Sequence, residues 1–284
     1  MSIRLEDVSY IYEQNTAMAV PALQHITTEI KENTFIGLIG HTGSGKSTFV
    51  QLLNGLLAPT DGKVFYNDKD IQAPDFSRKD LRADVGLVFQ YPEHQLFEID
   101  VLTDVMFGPK NLGLTEEEAR KRAEEALRLV GFEASQYDYS PFDLSGGQKR
   151  RVAIAGVLAM RPKYLILDEP TAGLDPAGRD EILEMIAAMQ KELQMTVVLV
   201  SHSMEDVARF VDRIIVMDHG SIALDGKPQE VFSHVEELEK MGLAAPQISY
   251  IMKDLHRQGV PVNTDALTIE EAAEEILRVF RDRA

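Results

Sequence analysis

The sequence predicts an α/β fold with a parallel sheet, and three short apolar runs that end in polar residues carry this prediction. The runs lie at residues 35–39, 164–167 and 196–200. Continuous apolar runs of this kind are typical of strands that are buried on both faces of a parallel sheet. Ligands gather at the carboxyl ends of such strands, so we expect the polar residues that follow these runs to share one site.

The first run leads into residues 40–48, GHTGSGKST, which contain the pattern G-x-x-x-x-G-K-S/T. A strand that enters a glycine-rich turn and then a helix places backbone N–H groups and the helix dipole around a polyphosphate. Lys46 would reach the β- and γ-phosphates, and the Ser47 hydroxyl would bind Mg²⁺. The predicted nucleotide-binding residues are Gly40, His41, Thr42, Gly43, Ser44, Gly45, Lys46, Ser47 and Thr48.

The composition excludes several function classes. The 284 residues have a net charge of −17, whereas a surface that binds nucleic acid or anionic lipid needs clustered Lys and Arg. No run approaches the roughly 18 apolar residues that cross a bilayer, and residues 1–10 do not read as a secretory signal. The absence of cysteine excludes disulfides. We expect a cytosolic protein that binds no nucleic acid and reaches a membrane only through a protein partner.

The other elements are predicted from periodicity and turn residues. β-Branched residues indicate strands, and apolar residues at helical spacing indicate amphipathic helices. In chain order we expect strands at 3–10 and 23–30, a helix from 49 to about 59, strands at 63–66 and 85–89, and helices at 115–130, 152–160 and 176–193. Residues 213–217 and 221–224 flank Asp218-His219-Gly220, which is typical of a hairpin turn.

Four candidate ligands follow predicted strands. Gln90 ends one strand, Asp168 and Glu169 end another, and His202 comes just after a third. Asp168 suits a Mg²⁺ ligand, directly or through water, while Glu169 could orient or deprotonate a water molecule. Tyr12, at the end of the first strand, either covers the core or provides a surface on which adenine stacks.

A second anion site is predicted at residues 144–148, LSGGQ, which run into a helix. Ser145 can cap this helix, and the two glycines leave its first N–H groups uncovered. Taken alone, the segment is equally typical of an ordinary capped helix. Its candidate ligands are Leu144, Ser145, Gly146, Gly147 and Gln148.

After about residue 235 the pattern changes to two short helices, the second of which opens with a capping box at Thr268. Their predicted apolar stripes are Ile248, Ile251, Met252 and Leu255, and Ala272, Ala273, Ile276 and Phe280. These residues are too few for an independent core, so we expect the tail to pack on the main domain or on a partner.

Together these motifs resemble those of ATP-binding cassette ATPases. They follow that family's order: the phosphate loop, Gln90, LSGGQ at 144–148, LILDE at 165–169, GLD at 173–175 and His202. The resemblance covers about residues 1–235 and implies a P-loop nucleoside triphosphatase fold. Its parts would be a RecA-like core, an antiparallel β subdomain and a helical subdomain at about 91–160. Residues 236–284 would form a C-terminal helical extension that contributes to dimerisation.

Three stretches look like the ATPases of energy-coupling-factor importers of vitamins and metals. They are FQYPEHQLF at 89–97, DVMFGPKNLGL at 104–114 and VSHSMEDVA at 200–208. The pair His41-Thr42 looks most like the second, A-prime type of ATPase subunit. This resemblance implies a peripheral protein on the cytoplasmic face of the cell membrane that binds ATP and Mg²⁺. Its partners would be a transmembrane coupling subunit and, indirectly, substrate-binding membrane subunits.

The resemblance also implies catalytic roles. Glu169 would polarise the attacking water, and His202 would hold the γ-phosphate and the loop around Asp175. Gln90 would contact Mg²⁺ and the water, and Tyr12 would stack on adenine.

Two such chains would pair head to tail, so that LSGGQ of one meets the γ-phosphate held by Lys46 of the other. A related ATPase is the favoured partner, and a second copy is the alternative. Two other readings stay open: another class of ABC transporter, and a soluble cassette ATPase that acts on DNA or ribosomes. The short interval between Gln90 and Ser145 leaves no room for a long coiled coil of the chromosome-type ATPases.

Overall fold

The computed structural model describes residues 2–281, whose strands form two sheets. Strands β1 to β10 are Ser2–Tyr12, Val20–Lys31, Phe35–Ile39, Asp61–Tyr66, Lys69–Asp70, Val85–Val88, Tyr164–Asp168, Thr196–Val200, Arg213–Asp218 and Ser221–Gly226. Helices α1 to α11 are Lys46–Leu53, Arg78–Asp84, Val101–Leu112, Glu116–Leu129, Gly146–Leu158, Pro176–Leu193, Met204–Phe210, Pro228–Ser233, Val235–Lys240, Gln247–Arg257 and Ile269–Arg281.

The larger sheet has the strand order β10-β9-β3-β8-β7-β6. All of its strands except β10 are parallel to their neighbours. The three apolar runs of the sequence are β3, β8 and β7, which lie side by side, so their carboxyl ends meet at one edge. The predicted α/β class with a parallel sheet is confirmed.

Two apolar cores lie on opposite faces of this sheet. Along β3, Phe35 and Ile39 point into one core, and Ile36 and Leu38 point into the other. This strand is buried along its whole length because both of its faces are covered. The second core also contains α1 and the smaller, antiparallel sheet, whose strand order is β2-β1-β4-β5.

Helices α3, α4 and α5 come between β6 and β7 along the chain and pack against one another. The sequence predicts α4 closely, but α5 begins six residues before its apolar pattern, at Gly146, because its first turns are polar. Helix α3 was not predicted from periodicity, since Pro109 lies inside it. Asp100 caps α3, its carboxylate accepting a hydrogen bond from the Thr103 N–H at 2.7 Å.

The C-terminal helices α10 and α11 enclose a small core formed by Met252, Val262, Ala266, Ala272 and Val279. The predicted stripes are wrong in detail. On α10, Ile251 is 51% exposed. On α11, Ala273 and Phe280 are exposed, and Val279 is buried instead. This helix carries apolar residues on two faces, so periodicity alone does not select the face that packs inward. Across residues 2–281, no helix is both long and apolar enough to cross a bilayer.

Candidate nucleotide-binding site

The loop between β3 and α1 has a backbone that only glycine accommodates easily. Gly43 and Gly45 adopt φ values of 83° and 103°, in the left-handed region. A Cβ atom on Gly45 would lie 2.6 Å from the Ala22 carbonyl oxygen, so the close approach of β2 also requires glycine there. The pattern of glycines in residues 40–48 is therefore needed to shape this loop.

Lys46 begins α1 and is almost fully buried. Its Nζ atom donates hydrogen bonds to the carbonyl oxygens of Gly40, at 2.7 Å, and His41, at 3.1 Å. Burial lowers the pKa of this ammonium, while the charges of Glu169 and Asp168 act in the opposite direction. The loop therefore concentrates one positive charge beside backbone N–H groups, as a polyphosphate site requires.

A hydroxyl and a carboxylate meet beside this loop, since the Ser47 Oγ atom donates to Asp168 Oδ2 at 3.3 Å. Burial, followed by the charge of Glu169, raises the pKa of the Asp168 carboxyl. Hard oxygen ligands of this kind suit Mg²⁺. The buried Ser44 hydroxyl has no hydrogen-bond partner within the described residues, which leaves a polar atom in the loop for a ligand. The residues present thus fit a bound Mg²⁺–nucleotide.

Gln90, Glu169 and His202 converge at the same edge of the sheet. The Gln90 amide donates to Glu169 Oε2 at 2.8 Å, and His202 Nε2 lies 2.9 Å from Glu169 Oε1. Glu169 itself adopts a φ of 49°, which is rare for a non-glycine residue. Its carboxylate is therefore held from two sides, and the three strand-end residues predicted to share a site do so.

Tyr12 lies at the end of β1 and is 39% exposed. Its hydroxyl shares a hydrogen bond of 3.0 Å with Thr48 Oγ1, and its ring meets Tyr10 edge to face. These contacts place one aromatic ring beside the phosphate loop. Both predicted roles of Tyr12, to cover the core and to stack on a nucleobase, stay predictions.

Ser145 caps α5 and, with Gln148, forms a capping box. A Cβ atom on Gly146 or Gly147 would meet no atom within 4 Å, so the helix start is open to its surroundings. Within residues 2–281 no hydrogen bond or ion pair joins residues 144–148 to the phosphate loop. Asp175 serves as the cap of α6, its Oδ1 accepting from the Gly178 N–H at 2.8 Å.

The sequence does not indicate the role of Arg150, because this residue looks there like one member of a solvated basic run. Its side chain is only 2% exposed and forms a bidentate pair with Glu93, at 2.7 and 3.1 Å. It also donates to the carbonyl oxygens of Pro170 and Ala172, both at 2.9 Å. Burial raises the pKa of Glu93, but the hydrogen bonds from Arg150, a backbone hydrogen bond and the charges of Arg150 and His94 together lower it, and the net pKa lies below its usual value. Arg150 thus connects α5 to the segments that follow Gln90 and Glu169.

The family model described as ABC transporter matches residues 23–172, which include the phosphate loop, Gln90, LSGGQ and Glu169. The chain therefore belongs to the ABC transporter family. Within this family it is similar over nearly its whole length to energy-coupling factor transporter ATP-binding proteins named EcfA2. The relative from Caldanaerobacter subterraneus is 57% identical, covering 99% of this chain and 98% of that protein. The relative from Clostridium tetani is 53% identical, and the alignment covers 100% of this chain and 99% of that protein.

Solved structures agree with this assignment. The cbiO1 protein of Clostridium perfringens, described as part of the ABC transporter complex cbiONQ, is 42% identical with a TM-score of 0.74. The alignment covers 88% of this chain and 98% of cbiO1. A dimeric bacterial ABC transporter cassette, MJ0796, is 32% identical with a TM-score of 0.69. The alignment covers 80% of this chain and 98% of MJ0796. The predicted fold, family and ATPase activity class are confirmed.

Proposed function

We propose that this chain is the ATP-hydrolysing subunit of an energy-coupling-factor importer for vitamins or transition-metal ions. The convergence of Gln90, Glu169 and His202 beside the phosphate loop supports the proposal, because a carboxylate held from two sides suits the activation of a water. Full-length similarity to energy-coupling factor relatives supports the transport role. We assign residues 1–235 to the ATPase domain, with its helical subdomain at about 91–160, and residues 236–284 to the extension.

In nucleotide binding, backbone N–H groups of residues 40–48 and the Lys46 ammonium hold the phosphates, and Tyr12 stacks on adenine. Ser47, Asp168 and Gln90 would hold Mg²⁺, which would supply positive charge to offset that of the phosphates. Lys46 would exchange its hydrogen bonds to the Gly40 and His41 carbonyl oxygens for phosphate oxygens.

In hydrolysis, Glu169 orients the attacking water and accepts a proton from it as the bond to the γ-phosphorus forms. The bond from that phosphorus to the β–γ bridging oxygen breaks, and the products are ADP and phosphate. Gln90 positions the Glu169 carboxylate and the water. His202 holds the γ-phosphate and stays within reach of Glu169. General-base positioning of this kind contributes about 10²–10⁴-fold to a rate.

We further infer that hydrolysis requires a head-to-tail dimer. The helix start capped by Ser145 is open at Gly146 and Gly147, which suits a phosphate that arrives from outside the chain. The γ-phosphate held by Lys46 of a partner would occupy it, with Leu144 and Gln148 flanking it and Asp175 at the same interface. A related ATPase subunit is the favoured partner, and a pair of identical chains is the alternative.

An exposed apolar surface beside the Gln90 loop suits a transmembrane coupling subunit. Phe97, Ile99 and Phe107 are 55%, 81% and 44% exposed, and the two phenylalanine rings meet edge to face at 4.9 Å. Single exposed apolar side chains are ordinary, but a contiguous group indicates an interface. Docking there would hold the chain on the cytoplasmic face of the membrane and connect it indirectly to substrate-binding subunits.

The extension offers a further contact. Ile269, Leu277 and Phe280 of α11 are exposed on the face that does not pack on the small core. We assign this face to contact within the ATPase dimer.

Affinity purification from native membranes in mild detergent tests the proposal. The wild-type chain should co-purify with a second ATPase, one transmembrane coupling protein and small substrate-binding membrane proteins. Phe107→Ser should lose the membrane proteins and keep ATP binding, because Phe107 is exposed and outside the nucleotide site. Exposed Tyr139→Ser, which also removes a ring, is the matched control. Recovery of ribosomes, of DNA or of the chain alone would reject the transport role and leave the ATPase assignment standing.

A further inference from the structure

Three potential metal ligands lie together beside the phosphate loop. His41, Asp218 and His219 each offer one ligand atom, and these atoms lie within 4.8 Å of one another. His41 Nε2 is 3.1 Å from Asp218 Oδ1, and His219 Nε2 is 3.8 Å from the same oxygen. Two imidazoles and one carboxylate form a donor set typical of first-row transition-metal sites.

The hydrogen bonding of His41 favours a cation at this point. Its Nδ1 atom lies 2.8 Å from the Thr42 carbonyl oxygen, which can only accept, so Nδ1 carries a hydrogen. In the neutral ring the lone pair of Nε2 then faces a carboxylate oxygen of Asp218. Two acceptors face each other stably only with a cation between them. A backbone carbonyl that orients the opposite ring nitrogen is also the usual outer contact of a metal-binding histidine.

Backbone hydrogen bonds hold the turn at Asp218 and His219 next to the loop that carries His41. The Gly220 N–H donates to the Ser44 carbonyl oxygen at 3.0 Å, and the Gln24 N–H donates to the Gly220 carbonyl oxygen at 2.8 Å. The hairpin turn that carries Asp218 and His219 is therefore fixed to the phosphate loop. His219 is 83% exposed, so its ring can rotate to complete the site without moving the backbone.

We propose that His41, Asp218 and His219 bind a first-row transition-metal ion, separate from the Mg²⁺ site at Ser47 and Asp168. Three protein ligands leave one position for water in the tetrahedral geometry that Zn²⁺ prefers. Mg²⁺ prefers oxygen ligands in an octahedral arrangement and does not suit this set.

Zn²⁺ binding, measured by titration calorimetry without nucleotide or Mg²⁺, tests the site independently of the transport proposal. The wild-type chain should bind Zn²⁺ at this site, and His219→Asn should weaken that binding about tenfold or more through loss of an imidazole. Asparagine suits the turn, because His219 has a φ of 44°. His25→Asn is a matched control, since His25 also has a positive φ, is exposed and lies 2.8 Å from an aspartate oxygen.

Co²⁺ provides a second readout, because imidazole-bound Co²⁺ in a tetrahedral site absorbs visible light. The absorption should appear with the wild-type chain and His25→Asn and disappear with His219→Asn. Equal Zn²⁺ affinity in the wild-type and His219→Asn chains would overturn the proposal, as would an equal loss in the His25→Asn control.

Discussion

The chain has two helix starts suited to phosphate, and they differ in how completely the chain itself surrounds them. At the start of α1, a buried lysine, a carboxylate and a closely packed hairpin turn lie around the loop. At the start of α5, Ser145 provides a cap, but the space next to Gly146 and Gly147 is open. The difference supports the proposed head-to-tail pairing, in which one chain would bind the nucleotide and hydrolysis would need a surface from another chain.

Glu169→Gln should produce the largest effect, because it removes the proposed base and keeps the shape of both helix starts. Turnover should fall about 10²–10⁴-fold, while ATP still binds and joins two chains in a closed dimer. Steady-state ATPase assays and size-exclusion chromatography with ATP measure the two parts. Exposed Glu181→Gln on α6 is the control. Near-normal turnover of Glu169→Gln would remove this residue from the catalytic role.

Arg150→Met should remove the contacts that connect α5 to the segments after Gln90 and Glu169. It should destabilise the fold by about 3–5 kcal/mol, since it leaves Glu93 without its buried partner. The folded-state pKa of Glu93 lies below its ordinary value of 4.5. The pair therefore stabilises the protein above that pH, and its contribution is lost as the pH falls through the folded-state pKa.

Chemical denaturation of wild-type and Arg150→Met proteins at several pH values measures this effect. The difference in unfolding free energy should be largest near neutral pH and shrink in acid. Arg151→Met changes the next residue of the same helix, which is less buried, and serves as the control. A difference that does not vary with pH would assign the effect to packing of the arginine side chain alone.

A paired substitution separates the two helix starts. Lys46→Ala should weaken ATP binding by a single chain about ten- to hundredfold, from the loss of a charge-assisted contact. Gly147→Asp adds a carboxylate to the first turn of α5, which favours the helix but repels a partner's phosphate. It should leave single-chain ATP affinity unchanged and abolish the ATP-dependent dimer.

Fluorescent-nucleotide titration at low protein concentration, followed by light scattering at high concentration, distinguishes these outcomes. Weaker single-chain ATP binding by Gly147→Asp would mean that the start of α5 serves the chain's own nucleotide. That result would remove the difference between the two helix starts.

The sequence predicts the α1 region better than the surroundings of α5, for a physical reason. Strands β3, β7 and β8 are continuous apolar runs, and the phosphate loop has a local pattern, so short segments define both. Contacts of Arg150 depend on residues from 20 to 57 positions away, which no local pattern reveals. Helix α3 escaped prediction because Pro109 interrupts its signal. The exposed face of α11 is ambiguous because apolar residues lie on both sides of the helix.

The smallest expected effect concerns Asp168, which lies beside the start of α1. It tests whether this carboxylate, suited to a bound cation, lowers the stability of the chain without ligand. Burial and the Glu169 charge raise the folded-state pKa of Asp168, so the fold disfavours the charged carboxylate. The contribution of Asp168 to the stability of the nucleotide-free chain therefore falls as the pH rises from the ordinary value of 3.8 through its folded-state pKa. Asp168→Asn removes this charge and retains an oxygen that can accept from Ser47, so it should raise the unfolding temperature slightly at neutral pH.

Differential scanning calorimetry with and without Mg²⁺ and ATP measures both sides of this effect. Asp168→Asn should unfold at a higher temperature than the wild-type chain without ligand and gain less from the ligands, because it has lost a metal-binding oxygen. Exposed Asp75→Asn controls for the change in net charge. If Asp168→Asn lowers the unfolding temperature without ligand, the carboxylate stabilises the empty fold. The contacts of Asp168 within the chain would then offset the burial of its charge, and the destabilisation expected at a site that binds a cation would be absent.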